Sequence, residues 1–282
     1  MNSDSGDMEK TGSFRRQWRM PPRARTAQRV DVHCHCLPGL DDGPETTAEA
    51  LALCRELTAD GITEVVATPH QLGRYDGRNS NVEIRKAVSN LRRTVATEGL
   101  PLRIWPGADV RIDERIPDLL RKDEVMTVAD GGKYLLLELP NEAWISPLGL
   151  AQELASMGIM AILTHPERCE LLCRNPEIVF EWPENGIYLQ LTAGSVMGEF
   201  GPSSEKASWY WLNEGAVLLV ATDAHGSEER KPRMSQAFGA ISRRLGQTMA
   251  YRVCIDGPRR VLCGQEIVPI TTKLQAEALA WK

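Results

Sequence analysis

No apolar run in the 282-residue chain approaches the roughly 20 residues that cross a bilayer, so a membrane-inserted helix is not expected. The first residues are polar rather than signal-like, which makes a cytoplasmic protein the expectation. No charge of one sign dominates. The 33 Lys and Arg against 38 Asp and Glu leave a net charge of -5, a mildly acidic balance that gives nucleic-acid binding no support. Cysteine is neither dense nor even in number: seven residues, at 34, 36, 54, 169, 173, 254 and 263, fall largely within expected strands and helices. That excludes a small disulfide scaffold and predicts reduced thiols. The two thiols of "CELLC" (169–173) would share a helical face, but two ligands are half a structural zinc site, and packing is the expected role. Histidine is scarce, with five in the whole chain, so where each one falls carries information.

What is present is an ordinary soluble composition, 42% hydrophobic and 25% charged, in a length that suits one sizeable α/β domain. Residues 1 to 28 lack apolar periodicity and scatter Lys10, Arg15, Arg16, Arg19, Arg23 and Arg25 among Ser, Gly and Pro, which reads as a flexible basic tail. From Val30 onward short apolar runs alternate with helical patterns, the rhythm of parallel β/α units, and residues 29–282 are expected to form a single domain. Strands are predicted at Val30–His35, Thr63–Ala67, Leu102–Trp105, Tyr134–Glu138, Met160–Thr164, Tyr188–Leu191 and Val217–Ala221. The first helix is the best signalled. Thr46 and Glu49 form a capping-box pair, Ala50, Leu53, Cys54 and Leu57 make its apolar stripe, and Gly61 ends it. Further helices are predicted over 83–98, 147–157, 205–214 and 233–244. No repeat or long linker interrupts the series, which favours one closed or nearly closed barrel.

The polar residues fall at the C-terminal ends of those strands. "RVDVHCHCLPGLDDGPET" (29–46) sets His33 and His35 two apart, on one face of a strand with Cys34 and Cys36 on the other, and places Asp41 and Asp42 beyond the turn. The second strand runs into "TPH" at His70, the third into "GAD" at Asp109 and the fourth into "ELP" at Glu138. The fifth leads to "THPER" with His165 and Arg168, and the seventh to "TDAH" with Asp223 and His225. Six of seven strands deliver a possible ligand, and all five histidines are among them. One histidine alone is most often a satisfied structural residue. Five of five beside carboxylates are a metal site, since imidazole and carboxylate together bind catalytic zinc, iron and manganese. Closing the sheet would gather them at one mouth.

The ordered set "DVHCHCLPGLDDGPET", "ATPH", "GAD", "LLLELP", "THPER", "LQLTAGS", "ATDAHG" and "DGPRRVL" resembles the PHP (polymerase and histidinol phosphatase) superfamily. More narrowly, it resembles the metal-dependent protein-tyrosine phosphatases of bacterial capsule and exopolysaccharide gene clusters. The resemblance covers roughly residues 29 to 265. It implies an α/β fold, a distorted (β/α)7 TIM-like barrel of the PHP type, carrying three divalent metal ions, commonly manganese, with iron, zinc or cobalt able to serve. It implies that His33, His35, Asp109, Glu138, His165 and Asp223 hold the two closer ions, that Asp42, His70 and His225 surround the third, and that Arg168 and Arg230 ("SEERKP") hold the phosphate. The implied substrate is a phosphotyrosine protein, the tail of a membrane-associated tyrosine autokinase. Two positions depart from the family pattern: Asp109 stands where glutamate is usual, which shortens a possible bridging ligand, and Gly257 stands where asparagine commonly precedes the proline, which bears on a helix cap.

Each residue type suits phosphate-ester hydrolysis. Clustered divalent ions mask the charge that repels a nucleophile and lower the pKa of water, while an arginine fork matches two phosphate oxygens at once. Without the resemblance, Arg168 and Arg230 would read as surface pairs for Glu167, Glu228 and Glu229. Trp105 and Trp144 could offer a platform to an aromatic leaving group, although packing is the expected role of both. Three other functions compete. One is a small-molecule phosphatase acting on histidinol phosphate or a similar monoester. Another is a scaffold that kept the barrel and lost activity, which the complete ligand set disfavours. The third is a cysteine-dependent phosphatase, because "CIDGPRR" (254–260) satisfies C-x5-R; Pro258 removes a phosphate-binding N–H from that loop, and no strand leads cleanly into Cys254.

Overall fold

The computed structural model describes residues 29–140 and 144–267. The expected tail, residues 1 to 28, and the last fifteen residues lie outside them. The described strands, all parallel to their neighbours, are β1 (Arg29–Cys34), β2 (Ile62–Ala67), β3 (His70–Gln71), β4 (Arg103–Pro106), β5 (Asp109–Arg111), β6 (Tyr134–Glu138), β7 (Met160–Thr164), β8 (Ile187–Thr192) and β9 (Val217–Ala221). Helices α1 (Thr47–Ala59), α2 (Asn81–Thr97), α3 (Ile116–Arg121) and α4 (Leu148–Ser156) follow in the first half. The second half holds α5 (Glu170–Arg174), α6 (Ala193–Val196), α7 (Pro202–Glu214), α8 (Met234–Leu245), α9 (Gln247–Tyr251) and α10 (Gly257–Leu262).

Nine strands stand where the sequence predicts seven because two are interrupted and resume. β2 continues as β3 after Thr68–Pro69, where proline offers no N–H to the ladder. β4 continues as β5 after Gly107–Ala108, where a Cβ on Gly107 would lie 2.6 Å from Val66 Cγ1. The hydrogen-bonded orders β1-β2-β4 and β3-β5-β6-β7-β8-β9 therefore describe seven staves. The seam between β9 and β1 closes at its C-terminal end only, through Asp223 N–H to His33 O (2.8 Å), His35 N–H to Ala224 O (2.9 Å) and a parallel bridge from Cys34 to Ala224. Asp31 reinforces the seam by accepting from Thr222 N–H (3.0 Å) and from the Thr222 hydroxyl. Burial of that carboxylate, partly offset by these bonds, pushes its pKa up to about 7. The result is a distorted (β/α)7 barrel.

Local signals account for the helices. The Thr46–Glu49 capping box forms, Ala50, Leu53, Cys54 and Leu57 are buried, and Gly61 follows with φ +85°. A second capping box, Ser80 with Glu83, starts α2. The expected helices over 83–98, 147–157, 205–214 and 233–244 appear as α2, α4, α7 and α8 with shifted ends.

The barrel interior is graded along its axis. One buried cluster joins Val30, Val32, Val66, Tyr134, Leu136, Ile162, Leu219 and Ala221 to Val261 and Leu262 of α10, which plugs the N-terminal end. With the strand period of two, the next inward positions are Glu138 after Leu136, Thr164 after Ile162, and Asp223 after Ala221. Apolar below and polar above, each stave positions the site at the same height. β1 breaks the period: its pairing with β2 shifts between Asp31 and Cys34. That bulge turns His33 and His35 to the polar mouth and leaves Cys34 and Cys36 in the apolar layer beneath the helices.

Candidate metal centre

All nine expected metal residues surround one mouth. His33 is the last but one residue of β1 and His35 follows the strand; His70 and Asp109 are register partners opening β3 and β5. Glu138 ends β6, His165 follows β7, Asp223 and His225 follow β9, and Asp42 lies in the loop after β1. His165 (φ 36°) and Asp223 (φ 51°) adopt left-handed backbone, as does Arg230 (φ 46°), strain of the kind stored at functional sites.

The ring nitrogens are oriented from behind. His33 Nδ1 donates to Gln190 Oε1 at 2.7 Å and His35 Nδ1 to Asp41 Oδ2 at 2.6 Å. The two Nε2 atoms then face each other 3.1 Å apart, with Asp223 Oδ1 3.3 Å from both. A cation shared by these three atoms suits that arrangement. Burial opposes a charge on His35, but Asp41 and Asp223 outweigh it and raise that imidazole's pKa well above its ordinary value. Three imidazoles, those of His70, His165 and His225, are shifted the other way, toward the neutral, ligating form. Burial and the neighbouring His35 push His70 down to about 3 and lower His225, and burial with the Arg168 charge takes His165 to about 4.

Carboxylates complete the donor sets. Asp109 Oδ1 accepts from the Thr164 hydroxyl (3.0 Å), while Oδ2 is buried without a hydrogen-bond partner, 3.6, 3.5 and 3.9 Å from His33 Nε2, His70 Nδ1 and His165 Nε2. Glu138 lies 3.6 Å from His70 Nδ1 and 3.8 Å from His165 Nε2; burial first, and the Asp109 charge second, push its pKa up to about 8. Asp42 Oδ1 is 3.5 Å from His70 Nε2 and 3.4 Å from His225 Nε2, and that buried His225 nitrogen also lacks a hydrogen-bond partner. An ion about 2.1 Å from each of two donors holds them roughly 3 to 3.5 Å apart, so these spacings and the two orphaned atoms fit divalent ions. The donor groups overlap: His35–Asp42–His70–His225, His33–Asp109–His165, His33–His35–Asp223 and His70–Asp109–Glu138, the atoms of each within 4.8 Å of one another.

A cavity of 640 Å³ opens at the donors and is lined also by Arg168, Arg230 and the loop residues Arg74 and Tyr75. Both site arginines donate to Asp223 Oδ2, at 2.6 and 2.7 Å, the oxygen that faces away from the imidazoles. Arg168 also bonds the Thr192 hydroxyl (3.1 Å) and lies 3.8 Å above the centre of the Phe200 ring.

Residues 29–263 match the family described as "Capsular polysaccharide synthesis, CpsB/CapC". The chain belongs to this family. It is 30% identical over 224 residues to the tyrosine-protein phosphatase YwqE of Bacillus subtilis (strain 168), covering 79% of this chain and 87% of the relative. With the putative tyrosine-protein phosphatase CapC of Staphylococcus aureus it shares 32% over 211 residues, 74% and 82% of the two chains. Among solved structures, a chain from those of YwqE from Bacillus subtilis and CpsB from Streptococcus pneumoniae, described as unique metal-dependent tyrosine phosphatases, superimposes with a TM-score of 0.82. That pair is 27% identical and covers 86% of this chain and 98% of the other. A lactonase from Listeria monocytogenes, at TM-score 0.51 and 12% identity, shares the fold alone.

Four supporting roles escaped sequence reasoning, although Asp41 and Glu167 were noted there for other reasons. Asp41 is the partner of His35, and it also accepts from His70 N–H (3.0 Å) and Gly43 N–H (3.1 Å). Its neighbour Gly43 is obligatory, because a Cβ there would lie 2.2 Å from His35 O. Gln190 orients His33 from within "LQLTAGS", a motif read only as a family marker. Glu167 fastens the turn carrying Arg168 by accepting from Thr192 N–H (2.9 Å). Asp31, at the seam, is the fourth. Nothing local marked Gln190 or Asp31, and the bulge after Asp31 breaks the alternation that would have tied it to His33 and His35. Trp105 and Trp144 both pack: Trp105 Nε1 donates to Glu64 (3.0 Å) and Trp144 stacks on Trp182 at 6.5 Å. Gly257 is not explained by capping. A Cβ there would meet Leu218 O at 2.5 Å, so glycine lets α10 approach β9.

Proposed function

We infer that this protein is a metal-dependent phosphomonoester hydrolase that removes phosphate from protein phosphotyrosine, acting in the cytoplasm on the tail of a membrane-associated tyrosine autokinase in capsule or exopolysaccharide synthesis. The observation that carries this reading is the convergence of nine imidazole and carboxylate side chains on the floor of a cavity walled by two arginines. Family membership and the names of the relatives support the substrate class.

In this reading three divalent ions, manganese before iron, zinc or cobalt, are held by His33, His35, Asp109, Glu138, His165 and Asp223 for the closer pair and by Asp42, His70 and His225 for the third. When bound, they supply the positive charge that screens the phosphate oxygens and the acidity that makes hydroxide available near neutral pH. The chain's own residues do the rest. Arg168 and Arg230 release part of their hold on Asp223 to take two phosphate oxygens, orienting the group for in-line displacement and stabilising the charge spread over it. Gln190 and Asp41 fix the ring planes of His33 and His35, so the donors do not reorganise during turnover.

The test compares kcat/KM for a phosphotyrosine peptide, the matching phosphoserine peptide and histidinol phosphate on the manganese-loaded protein. Phosphotyrosine is expected to be the best substrate, and a clear preference for histidinol phosphate would overturn the assignment.

A further inference from the structure

The cavity that Arg168 and Arg230 line is also lined by Leu72, Gly73, Arg74 and Tyr75, the first half of the loop Leu72–Asn79, which carries no metal donor and has no part in the mechanism above. Of the described residues lining the cavity, Tyr75 alone carries a phenyl ring. That ring stacks on the His70 imidazole, with centroids 5.5 Å apart and planes 12° from parallel. It therefore stands one ring beyond His70, within the cavity lining. The Arg74 guanidinium lies 4.8 Å from the Tyr75 centroid and Arg78 lies 5.7 Å from it. Arg74 is itself tied to Asp42 Oδ2 at 2.7 Å.

The loop is built to keep that ring still. Tyr75 N–H bonds Leu72 O (2.9 Å), Asp76 N–H bonds Gly73 O (3.1 Å) and Arg78 N–H bonds Tyr75 O (3.0 Å). Asn79 Nδ2 donates to His70 O (2.8 Å) and Gln71 Nε2 to Asn79 O (2.7 Å), so the far end of the loop is fastened back onto β3, from which its near end directly continues. Leu72 (φ 63°) and Asn79 (φ 57°) hold left-handed backbone that a slack loop would relax. Gly73 packs so closely on Arg111 that a Cβ would lie 2.9 Å from its Cγ, and Arg111 is anchored to Glu138 (3.2 Å) and Leu139 O (2.7 Å). An aromatic ring fixed in advance at a cavity mouth costs no ordering when a second ring packs beside it.

We propose that Tyr75 determines specificity for aryl phosphates: it is the surface against which the phenyl ring of phosphotyrosine packs, with Arg74 and Arg78 polarising and immobilising it. This rests on the phosphatase reading above and adds a residue that the metal and phosphate sites do not include. An alkyl phosphate such as phosphoserine reaches the same floor without a ring to place there.

The experiment measures kcat/KM for a phosphotyrosine peptide and the matching phosphoserine peptide, with metal content, for wild type, Tyr75→Phe, Tyr75→Leu and Tyr75→Ala, each loaded with manganese. Tyr75→Ala is expected to cut the aryl-to-alkyl ratio about tenfold, through KM for the phosphotyrosine peptide, and Tyr75→Phe to restore it. Tyr75→Leu keeps packing volume against His70, so it reads the loss of the ring without slack at that imidazole; a fall in the ratio with metal retained supports the proposal. An unchanged ratio in Tyr75→Leu, or equal losses on both peptides, overturns it and leaves Tyr75 as a prop for His70. Failure of the phosphatase reading looks different: loaded wild type would then hydrolyse neither peptide.

Discussion

Two stretches of this chain spell phosphatase patterns, and they differ in everything that makes a pattern a site. At the strand ends, donors scattered from residue 33 to residue 225 converge on an open cavity. Cys254 to Arg260 compresses a C-x5-R match into seven residues, yet its thiol is fully buried in a π-helical turn leading into α10. Burial pushes that thiol up to about 12, so it carries no nucleophilic thiolate near neutral pH. Arg260 is paired with Asp256 at 2.7 Å. Spacing in sequence guarantees nothing about access or direction, whereas a parallel barrel gathers strand ends by construction.

The largest effect that can break this comparison comes from removing the ions. Stripping divalent metal is expected to abolish hydrolysis and manganese to restore it, while His35→Ala lowers bound metal and rate together, as followed by metal analysis alongside turnover. Activity that survives chelation would sink the strand-end site.

Next in size are the two arginines. Arg168→Ala and Arg230→Ala should each reduce kcat/KM by roughly tenfold to a thousandfold, the loss expected of a charge-stabilising donor. Metal content should stay near wild type, since either arginine alone still pairs with Asp223 Oδ2. Metal lost in step with activity would reassign them as supports of that carboxylate.

A smaller effect separates the orienting groups. Burial would raise the Asp41 carboxyl, but the charge of His35 and its hydrogen bond hold it below the usual range, so Asp41 is an anion at working pH, unlike neutral Gln190. Asp41→Asn should weaken metal affinity by roughly 10- to 100-fold, and Gln190→Leu by less, in competition titrations with a chelator. Equal losses would mean that charge behind the imidazole is irrelevant.

The smallest expected effect tests the other stretch. Cys254→Ser should leave turnover within about twofold and cost on the order of 1 kcal/mol of stability, because a hydroxyl enters a fully buried position, as denaturant unfolding would record. A folded but inactive variant would revive the cysteine mechanism.

Much of the site was legible because its ingredients are rare residues at repeated positions: five histidines, each just beyond an apolar run, leave little room for another reading. Helix α1 was equally plain, since a capping box and an apolar stripe are local interactions that the sequence spells in order. Gln190 and Asp31 were not, because each acts on a residue more than 150 positions away in the chain, His33 and Thr222 respectively, and nothing nearby in sequence marks those partners. The split of β4 from β5 was missed because it depends on a close approach between neighbours, Gly107 against Val66, whereas that of β2 from β3 falls at Pro69, a signal the sequence did carry.

By itself the sequence determined the α/β alternation, the strand ends and the donor set, because strand and helix periods and residue chemistry are properties of the chain alone. It set His33 and His35 on one face of β1 and Cys34 and Cys36 on the other, without saying which face was inner. Unbroken alternation from inward Val30 and Val32 would have buried the thiols at the mouth and turned the imidazoles toward the helices. The tertiary structure decided otherwise through the shift between Asp31 and Cys34, with His33 O and His35 N–H bonded to the end of β9. Register across a closed barrel is set by its neighbours' hydrogen bonds and core volume, and those exist only once all seven staves are in place.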